Sequence, residues 1–234
     1  MKDRTYFGRD LEAMSFARNY HNWIIDEFRP YLGKGVAEVG AGTGNFSSLL
    51  IGTGIERLVA FEPSENMYPV LRDRMAGADN VTTVNCFFGD KCREYEDEFD
   101  SVVYVNVLEH IENDDSELSF VHSSLKRGGH ILVFVPALSW LYSEFDKKLG
   151  HFRRYHKKDI VRMIEGAGFD IINARYFDMA GIIPWYVAFV LLGKTINPGN
   201  VTLYDRMVVP IMRKAESLVT PPVGKNILLI GKKA

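Results

Sequence analysis

A run of glycines follows an apolar stretch in Val36-Ala37-Glu38-Val39-Gly40-Ala41-Gly42-Thr43-Gly44. A strand running into such a turn can bend sharply and admit a ligand without interference from a Cβ. Glu62 lies 22 positions after Gly40 (62 - 40 = 22), between Phe61 and Pro63. An acidic side chain about 20 residues beyond a glycine turn can accept hydrogen bonds from both hydroxyls of a ribose. Together the two features point to a nucleoside. A pyrophosphate-binding fingerprint would have its third glycine at position 45, but that residue is Asn45 and the glycine comes one step early. No Gly-Lys-Ser/Thr ending of a phosphate loop is present.

Three further groups have residue types suited to chemistry. In Phe88-Gly89-Asp90, Asp90 could accept from an adenine amino group, or it is simply a turn residue beside a glycine. Asn106-Val107-Leu108-Glu109-His110 follows an apolar run, and ligands of open α/β folds bind at such carboxyl ends of strands. His110 and His151 are the histidines placed to take a proton, with Glu109 as a substitute. The alternative for His110 is packing beneath the following loop. Finally, Tyr142 to Lys158 interleaves aromatic and basic residues, with Arg153-Arg154-Tyr155 at its centre. Guanidinium groups there offer bidentate contacts to a phosphate or carboxylate, and solvated surface charge is the competing reading.

Elements to carry these residues are legible in the alternation of short β-rich runs with helical segments, the pattern of a parallel sheet wrapped by helices. The runs predict strands near Val36–Val39, Leu58–Phe61, Thr82–Cys86, Ser101–Val105, His130–Val135, Ile171–Tyr176 and Asn226–Ile230. Leu11–Phe28 repeats apolar residues at helical spacing and ends before Pro30. Ser64 and Asp114 or Asp115 are predicted helix starts, and Gly128-Gly129 ends the second of these helices.

The 28 Lys and Arg against 30 Asp and Glu give a net charge of -2, so composition offers no general attraction to nucleic acid. Cys86 and Cys92 are too few for a disulfide framework and lack metal-ligand spacing, and no metal site is predicted. The charged N-terminus lacks the apolar run of a secretory signal, so a cytoplasmic location is expected.

Glu38 to Gly44, Glu62, Gly89-Asp90 and Asn106 to His110 together resemble the successive motifs of the class I S-adenosylmethionine-dependent methyltransferases. The resemblance covers Val36 to Phe177 and the last strand at Asn226. It implies a Rossmann-like seven-stranded α/β sheet of order 3-2-1-4-5-7-6, with strand 7 antiparallel and helices on both faces. It also implies S-adenosyl-L-methionine as cofactor. Glu38 and the Gly40–Gly44 backbone, Ala41 included, would hold the methionine moiety, Glu62 with Pro63 the ribose, Asp90 the adenine, and Asn106 with Val107 the sulfonium side. Leu149 to Tyr155 is similar to a subgroup linked to small-molecule, lipid or glycan acceptors, although His156 stands where relatives often have a capping Thr.

The expected organisation is one domain: a helical segment at 1–34, a cofactor-binding core at 35–177, a hydrophobic helical insertion at 178–223 and a last strand at 224–234. The expected activity is methyl transfer, most simply to oxygen, on a small or lipid- or glycan-linked anionic acceptor. His110 or His151 would be the base, and Tyr142, Arg153, Arg154, Tyr155 and Trp185 the acceptor contacts. The rival is a non-catalytic S-adenosylmethionine-binding sensor or partner subunit; a dinucleotide oxidoreductase is disfavoured by Asn45. The uncharged stretch Met179–Gly193 is 15 residues long, short of the roughly 20 needed to span a bilayer. It reads as an acceptor-side lid and helix partner, covered by the core, a second subunit as a homodimer, or a membrane surface, where Trp185, Tyr186, Lys194, Arg206, Arg213 and Lys214 would suit anionic lipid.

Overall fold

A computed structural model describes residues 17–194 and 198–234. Seven strands form one sheet: β1 Gly35–Val39, β2 Arg57–Phe61, β3 Val81–Val84, β4 Phe99–Val105, β5 Leu125–Pro136, β6 Phe169–Phe177 and β7 Asn226–Lys233. Their order is β3-β2-β1-β4-β5-β7-β6. β7 runs antiparallel to both β5 and β6, and the other pairings are parallel. This is the topology that the resemblance implied.

Side chains of successive strand residues point to opposite faces, and the two cores divide accordingly. Ala37, Val59, Val102, Val133 and Leu229 pack on one face. Val36, Leu58, Val103, Leu132 and Leu228 pack on the other. Both faces are covered, which is why these strands read as continuous apolar runs rather than alternating ones.

The longer α-helices are α1 Arg18–Phe28, α2 Asn45–Ile51, α3 Tyr68–Met75, α4 Asp114–Ser124, α5 Glu144–Leu149, α6 Lys157–Gly166, α7 Pro198–Met207 and α8 Val209–Leu218; Ile182–Trp185 continues into π-helical Tyr186–Leu191, and shorter turns join the rest. The part of the predicted leading helix before Ala17 lies outside the described residues. The N-cap residue of α1, Ala17, brings no side-chain acceptor. Asp205 of α7 takes that role across the fold: its carboxylate accepts from the Asn19 and Tyr20 backbone N–H groups at 3.0 and 2.9 Å. A remote carboxylate thus satisfies two of the orphan donors of a helix start, and it ties the insertion to the leading helix.

Three expected boundaries shift, while α4 starts at Asp114, as read from the sequence. The helix after β2 begins at Tyr68 rather than Ser64, because Pro69 in its first turn fixes the start, while the Ser64 carbonyl accepts from Tyr68 N–H at 3.0 Å. Asn113, not an aspartate, caps α4, its side chain accepting from Ser116 N–H at 3.1 Å. Gly128-Gly129 lies inside β5, and α4 ends earlier, at Ser124. The helix expected over Thr202–Leu218 is two helices, broken at Val208, because Pro210 starts the second.

Candidate active site

The glycine turn positions the first wall of the site. Gly40, Gly42 and Gly44 have φ of +70, +58 and +82°, a region that side chains rarely adopt. A Cβ on Gly40 would sit 2.6 Å from Val107 Cγ2, and one on Gly44 would sit 2.9 Å from Leu71 Cδ1. Those two glycines therefore let the turn pack against its own protein. Gly42 is the one that lines the cleft.

Glu62, buried at the end of β2, accepts from Gly42 N–H at 2.7 Å and from Ser64 N–H at 2.8 Å. It is tied to the glycine turn 20 residues upstream, with lone pairs left over on a carboxylate that can accept about four hydrogen bonds. Glu38 is buried at the end of β1 and accepts from Ser47 Oγ at 2.5 Å. Burial pushes its carboxyl up to about 8, so it stays protonated through neutral pH. A carboxyl raised in the folded state contributes stability below its unfolded value near 4.5, and that contribution is lost as pH rises through about 8. Glu38→Gln removes this dependence. Thermal unfolding between about pH 5 and pH 8 is expected to show the variant gaining on wild type as pH rises; parallel curves would contradict a neutral Glu38.

A cleft of about 210 Å³ opens beside the turn. Glu38, Ala41, Gly42, Asn106, His110, His151, Arg154 and Trp185 line it, as eight of the sequence-derived residues. Asn106 reaches it from a positive φ of 54° at the end of β4. Tyr20, Phe145, Lys225 and Asn226 line it too and were not anticipated. Tyr20 and Asn226 come together because their side chains hydrogen-bond at 3.0 Å across 206 residues of chain.

The far wall is a polar cluster. His110 and His151 meet edge to face with ring centroids 4.6 Å apart. His151 Nδ1 lies 3.0 Å from Asp146 Oδ1, and the buried Asp146 also accepts from Arg154 Nε at 2.8 Å and from Ser143 N–H and Oγ at 2.9 Å. Burial alone would raise the Asp146 carboxyl, but the His151 hydrogen bond and the Arg154 guanidinium hold it below the ordinary carboxylate range. Burial and the neighbouring His151 push His110 down to about 3, so its imidazole is neutral. Burial pushes Glu109 up to about 8, and among the described residues neither of its carboxylate oxygens has a partner in another residue. Asp146 escaped the sequence reading, although Ser143-x-x-Asp146 carries the capping-box spacing that the structure realises.

Several expected contacts fall elsewhere. Arg153 donates to Asp114 Oδ1 at 2.6 Å and to the Glu112 carbonyl at 2.8 Å, away from the cleft. The Tyr155 hydroxyl donates to Asp114 and to the Leu108 carbonyl, and the Tyr142 hydroxyl donates to the His151 carbonyl at 2.6 Å. These side chains brace the loops that hold His110 and His151. Arg154 does line the cleft, but its charge is balanced by Asp146. Asp90 is exposed beyond β3 and lines no part of this cleft, because Phe88 and Cys92 take the buried positions of its turn. Glu62 and Pro63, just beyond β2, and Val107, beside Gly40, do not line the cleft.

Trp185 turns inward: it packs on Phe145 and Phe189, donates to the Leu141 carbonyl at 3.3 Å, and carries the Arg154 guanidinium 4.6 Å from its ring centroid. It is therefore a wall of the cleft and not an exposed interfacial anchor.

Residues 18–174 match the family described as methyltransferase domain. The chain is 26% identical over 223 residues to ribosomal RNA small subunit methyltransferase A of Staphylococcus aureus, covering 92% of this chain and 66% of that relative's length. Among solved structures, a SAM-dependent methyltransferase from Archaeoglobus fulgidus aligns with a TM-score of 0.64 at 18% identity, over 95% of this chain and 98% of that one. Phosphoethanolamine N-methyltransferase 2 of Haemonchus contortus, in complex with S-adenosyl-L-methionine, aligns with a TM-score of 0.61 at 20% identity, over 92% of this chain and 52% of that one. With residues 18–174 matched and the 3-2-1-4-5-7-6 sheet in place, the chain belongs to the methyltransferase domain family and has the class I S-adenosylmethionine-dependent methyltransferase fold.

Proposed function

We propose that this protein transfers a methyl group from S-adenosylmethionine to a hydroxyl oxygen of a small or lipid-linked acceptor. The observation that carries this reading is the His151–Asp146 pair, at 3.0 Å, in the wall of the same cleft that Gly42 lines. Glu38 and the Gly40–Gly44 turn would hold the methionine part of the cofactor, Glu62 the ribose, the exposed Asp90 the adenine, and Asn106 the sulfonium side. The turn fits such a ligand, since Gly42 adds no side chain to the cleft and Glu62 fixes its amide. When bound, the cofactor supplies a methyl group already activated on sulfur, so no protein nucleophile is required.

The protein's work is alignment and proton transfer. With Asp146 accepting from Nδ1–H, His151 presents Nε2 as a lone pair for the acceptor's proton. Trp185, Phe145 and Tyr20 give the cleft apolar walls that exclude water. The pairing of Arg153 with Asp114 and of Arg154 with Asp146 removes the cations that argued for an anionic acceptor, so a hydroxyl on an apolar body is the better reading.

The test is transfer of labelled methyl from S-adenosylmethionine to three pools: hydroxylated small molecules, a lipid extract and ribosomal RNA. Label in either of the first two is the expected result. Label in RNA alone would overturn the acceptor class, and cofactor binding without transfer to any pool would favour the sensor reading.

Exposed apolar side chains of the 178–223 insertion support the lipid-linked option. Ile183, Leu191, Met207 and Ile211 are 72, 61, 61 and 68% exposed, with Lys194, Arg206 and Lys214 also exposed nearby in sequence. Among the described residues no helix is long and apolar enough to cross a membrane. Because Trp185 and Phe189 pack inward, the informative variant is Ile183→Asp with Leu191→Asp. Wild type is expected to float with anionic liposomes and the pair to remain behind; equal behaviour of the two would dismiss the membrane role.

A further inference from the structure

The cleft is also lined by Glu109, His110 and His151, whose ligand-type atoms all lie within 4.8 Å of one another. Their surroundings are those of metal ligands. A metal-bound histidine characteristically donates its second ring N–H to a carboxylate or a backbone carbonyl, which fixes its tautomer and aims the other nitrogen at the ion. His151 has Asp146 in that position at Nδ1, 3.0 Å away. The Gly150 backbone hydrogen-bonds to His110. Glu109 is fully buried, and among the described residues its two carboxylate oxygens lack a partner in another residue. A buried carboxyl in that state costs folding free energy, and the plainest compensation in a functional cleft is a cation.

We propose that Glu109, His110 and His151 bind a divalent transition-metal ion, zinc or a first-row neighbour, that leaves one coordination position open to the cleft. Two imidazoles and one carboxylate suit such ions better than magnesium or calcium, which favour all-oxygen sets. Bonds of about 2.0–2.2 Å place tetrahedral ligands about 3.4 Å apart, so modest side-chain rotations close the present 4.8 Å set. Three protein ligands with a fourth position free is the arrangement of catalytic rather than structural metal sites. The nearby cysteines belong to a different part of the fold: Cys92 Sγ hydrogen-bonds to the Gly89 carbonyl.

This inference rests on the proposed methyl transfer for its chemical use. An acceptor hydroxyl in the open position would have its pKa lowered by the ion. Its O–H bond would break as the oxygen's electron pair forms the new bond to the methyl carbon, the methyl–sulfur bond would break with its pair left on sulfur, and the proton would leave to solvent. His151, with Asp146 behind it, would then act on the acceptor's proton through the ion that it helps to hold, so its loss would still lower turnover.

The experiment is calorimetric titration of chelator-treated protein with Zn²⁺ and Co²⁺, alongside the absorption spectrum of the Co²⁺ form. One ion per chain is expected, with a four- or five-coordinate visible spectrum lacking thiolate charge-transfer bands. Glu109→Gln and His110→Ala are each expected to weaken binding by at least about 100-fold, beyond the roughly 10–100-fold typical of losing an outer-shell partner. His122→Ala, outside the cluster, is expected to leave it unchanged. Because the spectrum is read on wild type, the result does not depend on the variants folding. No saturable binding, thiolate bands in the cobalt spectrum, or equal affinity in the ligand variants would overturn the site. Methyl transfer by protein that binds no metal would defeat this inference and leave the proposed function standing. Metal binding without transfer to any acceptor would leave the site and defeat the function.

Discussion

Replacing His151 by alanine is expected to lower kcat by about 10²–10⁴, the range attached to a positioned proton acceptor, while the dissociation constant for S-adenosylmethionine stays within a few-fold of wild type. The split follows from position. His151 lines the cleft and is held by Asp146, whereas Glu62 lies outside the lining and is joined to it through the Gly42 amide. His110→Ala is expected to lower turnover as well, because it removes the ring packed edge to face on His151, with centroids 4.6 Å apart. Substituting Asp146 itself is less informative, since it would strand Arg154, only 1% exposed, without its counter-charge; an uncompensated buried charge commonly costs about 3–5 kcal/mol. Single-turnover rates with saturating cofactor and calorimetric affinities measure the two quantities separately. Full turnover in His151→Ala, or equal losses in rate and cofactor affinity, would remove His151 from proton handling.

Glu62→Ala is expected to weaken S-adenosylmethionine binding by roughly 30- to 1000-fold, from about 2–4 kcal/mol for two hydrogen bonds to a charged acceptor. Part of that loss comes through the protein itself. The Glu62 carboxylate holds the Gly42 and Ser64 amides at 2.7 and 2.8 Å, so its removal leaves two backbone donors to find water and loosens the turn. A lowered melting temperature without ligand is therefore part of the expected result. Glu62→Gln keeps one acceptor oxygen and is expected to fall between wild type and alanine in both measurements. An unchanged dissociation constant in the alanine variant would refute the ribose contact. A melting-temperature loss with unchanged affinity would reduce Glu62 to a brace for the turn.

The two variants test two parts of one site, the glycine turn with Glu62 and the His151–Asp146 cluster, which differ in how readily they are inferred from sequence. The glycine turn and Glu62 are local signals: a strand, a bend that only glycine makes cheaply, and an acidic side chain at the next strand end. Sequence spacing is enough because the chain itself joins them through one β-α-β unit. The strand positions were legible for a related reason, since a sheet covered on both faces requires unbroken apolar runs such as Ile131 to Val135, every one of them fully buried.

The acceptor wall was not legible, because its contacts cross long stretches of sequence. Arg153 and Arg154 are adjacent and chemically identical, yet Arg153 is spent on Asp114, 39 residues away, and only Arg154 faces the cleft. Nothing in their order distinguishes them; the choice is made when Tyr155 bridges to Ala137 and the segment is laid across the sheet edge. His110 and His151 meet only because Phe152 N–H donates to the Glu109 carbonyl at 2.8 Å, pinning one loop over the other. Trp185 looked equally suited to a membrane and to a core until Phe145, Phe189 and Arg154 surrounded it. By itself, then, the sequence determined the sheet, its glycine turn and the acidic residue beyond it, because covalent continuity and burial periodicity act over a few tens of residues. Only the tertiary structure decided which charges are neutralised inside the protein, and which imidazoles and carboxylates face the cleft, because ion pairing and burial depend on neighbours that the chain order does not reveal.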